Sequence, residues 1–186
     1  EQTAAMGSIS IMQTAPEQAA FLEMLVRLTG AMRALEIGTF TGYGAIRIAR
    51  GLAPDGSLTC FELDGERAAV ARANLDEAGV GEKVEIVVGP AIEGLRALPD
   101  EAAVDFAYID ADKTGYPAYS EEIVRRLAPG GLLAIDNVLM GGRILDTDPD
   151  EGTAAMQIVN ARIMEDDRVD SVMLGMADGL TLVKRR

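Results

Sequence analysis

Residues 35–44 read Leu35-Glu36-Ile37-Gly38-Thr39-Phe40-Thr41-Gly42-Tyr43-Gly44. An apolar run carrying Glu36, then glycines at 38, 42 and 44, then the helical pattern Ala45-Ile46-Arg47-Ile48-Ala49-Arg50, give strand, tight turn and helix. That is half of a nucleotide-binding α/β unit. Glycine in such a turn takes positive φ and admits a ligand where a Cβ would collide, while the following helix offers free backbone N–H groups. The spacing is Glu-x-Gly-x-x-x-Gly and not the Gly-x-Gly-x-x-Gly of dinucleotide sites. It exchanges pyrophosphate contacts for room for an uncharged ribose and a methionine tail. S-adenosylmethionine is therefore favoured over NAD. A glycine-rich turn that binds nothing is the competing reading.

Working outward, residues 1–10 are small and polar with no period and form an arm. Pro16 opens a helix whose Phe21, Leu22, Leu25, Val26 and Leu28 are expected to face inward, and Gly30 ends it. Strand Arg33–Ile37 and a helix to Leu52 lead through Pro54-Asp55-Gly56 to strand Ser57–Phe61. Helix Glu66–Ala78, strand Lys83–Val88 and a short helix Ile92–Leu98 follow. Strand Val104–Ile109, helix Tyr116–Leu127, a turn at Pro129-Gly130-Gly131 and strand Leu132–Ile135 continue the alternation. A Gly- and Asp-rich loop, 137–150, then precedes helix Gly152–Met164 and strands Val169–Leu174 and Leu180–Lys184, joined by a turn at Ala177-Asp178-Gly179. The order predicts a Rossmann-like, doubly wound α/β fold, with a mainly parallel seven-stranded sheet, an antiparallel edge strand and helices on both faces.

The 186 residues suit a single domain, and no apolar run reaches the roughly 20 residues of a membrane span. Neither a signal peptide nor a transmembrane helix is expected, and no membrane partner. A net charge of −13 opposes binding to a nucleic-acid backbone and favours a small-molecule substrate. The one cysteine, Cys60, fits a reducing cytoplasm and sits in an apolar run, so it reads as core. With no His in the chain, acid–base chemistry falls to Lys, Asp, Glu or Tyr.

Ligands of open parallel sheets bind beyond the carboxyl ends of the strands. Glu36, Glu62 with Asp64, Gly89, Asp110 with Asp112 and Lys113, and Asp136 with Asn137 stand there. Glu62, some 20 residues after the glycine turn, is placed to take ribose hydroxyls. Asp110, Asp136 and Asn137 can converge on a hard divalent cation such as Mg²⁺, or can simply cap turns. Lys113 is a candidate base or a solvated surface lysine. Substrate choice is assigned to the arm, residues 1–13, to the loop 138–150 and to the hairpin near 176–178. Arg143 can pair with a substrate carboxylate or with Asp146 or Asp148, and the salt bridge is the favoured reading.

Leu35–Gly44, Phe61-Glu62-Leu63-Asp64, Gly89-Pro90-Ala91, Tyr108–Lys113, Leu127–Asn137, Gly142-Arg143 and Asp178-Gly179-Leu180 occur in order. Together they resemble the cation-dependent class I O-methyltransferases, the group of catechol and caffeoyl-CoA O-methyltransferases. The resemblance runs from Met12 to Lys184. It implies a hydroxylated aromatic substrate, Asp110, Asp136 and Asn137 as ligands of Mg²⁺, Ca²⁺ or Mn²⁺, and Lys113 as general base. It implies Glu62 on the ribose, Glu36, Gly38, Tyr43 and Gly44 around the methionine moiety, Ala91 at the adenine edge, Asp110 also beside the cofactor, and Met12 in a segment over the site. It also implies a homodimer. Gly44 departs from the Ser common at that position, and the arm is shorter than the helices family members carry there. Two other readings are a module that binds the adenosyl ligand without turnover and an NAD-dependent dehydrogenase.

Overall fold

The computed structural model describes residues 14–99 and 103–186. Seven strands form one sheet: β1 (Arg33–Ile37), β2 (Ser57–Glu62), β3 (Val84–Val88), β4 (Val104–Ile109), β5 (Leu127–Asp136), β6 (Val169–Leu174) and β7 (Leu180–Arg185). Their order is β3-β2-β1-β4-β5-β7-β6. The first five are mutually parallel, and β7 runs antiparallel between β5 and β6. The closing hairpin thus takes the sheet edge as expected, with its antiparallel member one place in and β6 at the rim. Chain direction across the sheet reverses between β1 and β4, the switch point at which such sheets bind ligands.

Among the described residues, six α-helices cover the faces: α1 (Pro16–Thr29), α2 (Tyr43–Gly51), α3 (Gly65–Glu77), α4 (Ala91–Ala97), α5 (Tyr116–Arg126) and α6 (Glu151–Glu165). Alternation along each buried strand divides the core in two. Leu35, Ile37, Ala107 and Ile109 pack with Leu95 of α4, Ile123 of α5 and Met156 of α6. Ala34, Cys60, Phe106 and Tyr108 pack with Leu22 of α1, Ile48 of α2 and Leu75 of α3. None of the described helices is long and apolar enough to cross a membrane.

Two local expectations are corrected. Leu28 is exposed, because the buried stripe of α1 runs Gln18, Leu22, Val26 at helical spacing and Leu28 lies on another face. Pro129-Gly130-Gly131 does not separate helix from strand. Leu127 already pairs with Val104, the chain bulges with Gly130 at φ +81°, and pairing resumes at Phe106 with Leu132. A Cβ on Gly131 would sit 2.8 Å from the Val104 carbonyl oxygen, so glycine is what allows the bulge to close on its neighbour.

Candidate active site

Hydrogen bonds between strand tips build the floor of the site. Gly38 N donates to Phe61 O (3.0 Å), Gly89 N to Glu62 O (2.9 Å) and Asp110 N to Ile37 O (2.8 Å). Gly38, at φ +89°, is needed less for a ligand than for its own chain: a Cβ there would lie 2.0 Å from the Asp110 carbonyl oxygen. The tips of β1 and β4 can therefore close together, and a cavity of about 960 Å³ opens above them.

One half of the cavity is lined by Glu36, Gly38, Tyr43, Gly44, Glu62 and Ala91, all expected there from the sequence. Glu62 is oriented by main chain: Oε2 accepts from Phe40 N (2.8 Å) and Oε1 from Asp64 N (3.1 Å). Each oxygen keeps a second lone pair for a hydroxyl. Phe40 takes a left-handed φ of +51°, unusual for a bulky residue, and the Arg67 guanidinium lies 5.5 Å from its ring centre. Glu36 is 1% exposed, and burial pushes its carboxyl up to about 8. Cys60 Sγ donates to its Oε2 at 3.5 Å, and Cys60 is core, as read. A Cβ on Gly44 would lie 2.4 Å from Glu36 Oε1. The departure at Gly44 thus has a structural reason, since the Glu36 carboxyl fills the space a serine side chain would need. Ala91 opens α4 behind Pro90, and Tyr43 opens α2 with its hydroxyl accepting from Arg47 Nη2 (3.4 Å).

The other half gathers the polar tips of β4 and β5. Lys113 Nζ donates to Asn137 Oδ1 (2.7 Å), Tyr116 OH (2.6 Å) and Asp110 Oδ1 (3.3 Å), and lies 4.6 Å from the Tyr116 ring centre. Asp136 Oδ1 accepts from Asn137 N (2.7 Å) and Oδ2 from Tyr108 OH (2.7 Å). Asn137 itself adopts φ +59°, which turns its amide back toward Lys113. Burial, reinforced by the Asp136 charge, raises the Asp110 carboxyl well above the usual carboxylate range. Asp110, Lys113, Asp136 and Asn137 are thus brought together as anticipated. Among the described residues no group of three or more Asp, Glu, His or Cys forms a metal-binding cluster. The set here is two carboxylates, one amide oxygen and an ammonium. Its oxygens are hard donors, and the raised Asp110 carboxyl is what two buried acids produce when positive charge between them falls short, so the set suits a divalent cation.

Sequence reading missed Gln18, Tyr108 and Tyr116 as members of this network. Gln18 Nε2, on α1 and 1% exposed, donates to Tyr108 OH at 3.1 Å and so reaches Asp136 through one hydroxyl. The available signal was a polar residue on the apolar stripe of α1. Met12 lies outside the described residues, although Thr14 and Ala15 line the cavity. Arg143 does form an ion pair, but with Asp150 in place of Asp146 or Asp148. Asp150 caps α6 through Thr153 N (2.7 Å), which fixes it next to the loop.

Fold and cavity together define an α/β protein with a ligand-sized cavity at the switch point of its sheet. The chain belongs to the O-methyltransferase family, whose profile matches residues 1–186. It is 37% identical over 187 residues to a catechol O-methyltransferase of Niastella koreensis, covering 96% of this chain and 83% of that protein. It is 33% identical over 189 residues to caffeoyl-CoA O-methyltransferase 2 of Zea mays, covering 95% and 71% respectively. The structure is similar to that of the O-methyltransferase TomG from Streptomyces achromogenes in complex with SAM (TM-score 0.93, 33% identity, 99% of this chain and 86% of that one). It is also similar to an O-methyltransferase from Bacillus cereus in complex with SAH (TM-score 0.94, 32% identity, 100% and 88%). The protein is a SAM-dependent O-methyltransferase of the caffeoyl-CoA and catechol type.

Proposed function

We propose that this enzyme methylates one hydroxyl of a vicinal dihydroxy aromatic small molecule, with a divalent cation such as Mg²⁺ held by Asp110, Asp136 and Asn137. The observation that carries the reading is the meeting of Asp110 and Asn137 on Lys113, with Asp136 beside them, in the lining of the cavity. The names of two relatives, catechol and caffeoyl-CoA O-methyltransferase, denote groups with adjacent ring hydroxyls and support the same substrate class.

Bound adenosylmethionine supplies an electrophilic methyl group, and a bound cation supplies Lewis acidity toward the reacting hydroxyl. The chain's own residues do the rest. Glu62 takes the ribose hydroxyls with the two oxygens that Phe40 N and Asp64 N orient. Glu36, with Gly38, Tyr43 and Gly44 around it, receives the methionine end, and an ammonium group there meets a carboxyl buried for the purpose. Ala91 borders the adenine, and Asp110 stands between the two halves. Lys113 Nζ, once its ammonium has given up a proton and stands as the neutral amine, would take the hydroxyl proton, and the Tyr116 hydroxyl beside it holds that nitrogen at the strand tip. The substrate is a small molecule and not a nucleic acid, in keeping with the charge of −13. A cytoplasmic homodimer is the expected setting.

Calorimetry with S-adenosylhomocysteine followed by methylation assays on 3,4-dihydroxyphenyl compounds, with Mg²⁺ and with EDTA, tests the reading. Cofactor-product binding and Mg²⁺-dependent methylation are expected. Methylation undiminished by EDTA would overturn the metal assignment, and binding without any Mg²⁺-dependent product would favour the module without turnover.

A further inference from the structure

The third residue of α1 is a glutamine on an otherwise apolar stripe. Gln18, Leu22 and Val26 share one buried face, and Gln18 is 1% exposed. A primary amide taken out of water is unfavourable unless its hydrogen bonds are replaced, so an apolar residue would serve helix packing alone as well or better. Gln18 Nε2 donates to Tyr108 OH (3.1 Å), 90 residues away on β4, and Tyr108 OH donates in turn to Asp136 Oδ2 (2.7 Å) at the tip of β5. Tyr108 is 1% exposed and Asp136 4%, so the whole chain of bonds is buried.

Chemistry fixes the direction of this chain. An amide nitrogen only donates, and a phenol has a single proton to give. With a lone pair of the Tyr108 oxygen taken by Gln18, that proton is committed to a carboxylate. Thr14 is a second hydrogen-bonding neighbour of the same hydroxyl, and the Asp110 carboxyl is within its reach as well. Asp136 is held at both oxygens, Oδ1 by Asn137 N and Oδ2 by Tyr108 OH. The first bond comes from the next residue in the chain and moves with it. Only the second ties the carboxylate to another strand, and through Gln18 to a helix. In a buried series of hydrogen bonds each donor polarises the next, so the Gln18 bond strengthens the one that Tyr108 makes to Asp136.

We infer that Gln18 is a positioning residue for the cation site: acting through the Tyr108 hydroxyl, it holds the Asp136 carboxylate in the orientation that receives the metal. This step rests on the reading of Asp110, Asp136 and Asn137 as cation ligands. Partners that orient a ligating carboxylate tune how tightly the metal is held. The effect of Gln18 therefore falls on cation affinity, and methyl transfer in the filled site proceeds as before. It also depends wholly on Tyr108, because Gln18 meets Asp136 through that hydroxyl.

The test is a double-mutant cycle read by calorimetric titration of Mg²⁺ into the S-adenosylhomocysteine complex of the full chain. Gln18→Met fills the same space without a donor, and Gln18→Asn draws the amide back by one carbon while the position stays polar. Each is expected to weaken Mg²⁺ binding by about threefold, less than the direct partner Tyr108→Phe. Adding Gln18→Met to Tyr108→Phe should change Mg²⁺ affinity no further, whereas a role in helix packing would persist without the hydroxyl. In steady-state assays the apparent KM for Mg²⁺ should rise in both Gln18 variants, with kcat at saturating Mg²⁺ within about twofold of the parent. Affinity of the metal-free protein for S-adenosylhomocysteine should stay within about twofold. Parent-like Mg²⁺ affinity in both Gln18 variants overturns the inference alone. So does an equal loss with and without the Tyr108 hydroxyl, or a loss that appears in S-adenosylhomocysteine binding instead. A parent protein that binds no Mg²⁺ overturns it together with the cation reading beneath it.

Discussion

Lys113 stands where sequence spacing put it, three residues after Asp110, but its surroundings could not be read from spacing. Three oxygens from β4, β5 and α5 accept from its ammonium. Lys113→Ala should lower kcat by on the order of a hundredfold or more while leaving the calorimetric affinity for S-adenosylhomocysteine within about twofold of the parent. A variant with normal turnover would remove Lys113 from the mechanism. Glu36 gives a pH prediction. Its carboxyl titrates near 8 in the fold against an ordinary 4.5, chiefly through burial, so the folded protein holds that proton more tightly than the unfolded chain. Its contribution to stability is full below about 4.5 and is lost as pH rises through about 8. Melting of the cofactor-free protein should therefore fall more steeply over that range than melting of Glu36→Gln. The acids Glu36, Glu62, Asp110 and Asp136 were legible because each ends a strand whose direction the alternation fixes. Gln18 was not, because its partner Tyr108 is 90 residues away and only tertiary packing brings the two together. Tyr108→Phe removes the donor to Asp136 Oδ2, and should weaken Mg²⁺ binding measured calorimetrically by about tenfold if that bond orients the carboxylate.

Among the elements, α5 is anchored by an ion pair that no pattern announced. The Arg126 side chain is 2% exposed and donates to the Glu122 carboxylate, to the Glu122 carbonyl (3.1 Å) and to Leu98 O (3.2 Å). Hydrogen bonds from Arg125 and Arg126 hold the Glu122 carboxyl down at about 2, so its contribution is present above about 4.5 and lost as pH falls toward 2. Glu122→Gln should lower stability at neutral pH, by removing a charged partner of the buried guanidinium, and should flatten the acid limb of the stability curve. Urea titrations at pH 7 and pH 3 measure both effects. The seven strands and six α-helices were legible from apolar alternation and from Gly and Pro punctuation. The β5 bulge was not, because Pro-Gly-Gly is an equally good turn, and only its pairing across to Val104 decides the matter.

At the scale of the whole molecule, the crossover between β1 and β4 puts the tips of five parallel strands around one cavity, whose lining includes Asp112 and Asp178 as well as the proposed metal ligands. The architecture was legible because βα alternation leaves few right-handed solutions. The place of the last hairpin within the sheet was legible only in part, since sequence locates two strands and a turn but not which of them meets β5. That arrangement has a consequence for biosynthesis. Because β7 slots between β5 and a strand made before it, the amide row of β5 stays open on the nascent chain until residues 180–185 leave the ribosome. A stalled or prematurely stopped polypeptide would expose a Leu-, Ala- and Ile-rich ribbon, Leu132–Ile135, to its neighbours and become a client for chaperones or a seed for inclusion bodies.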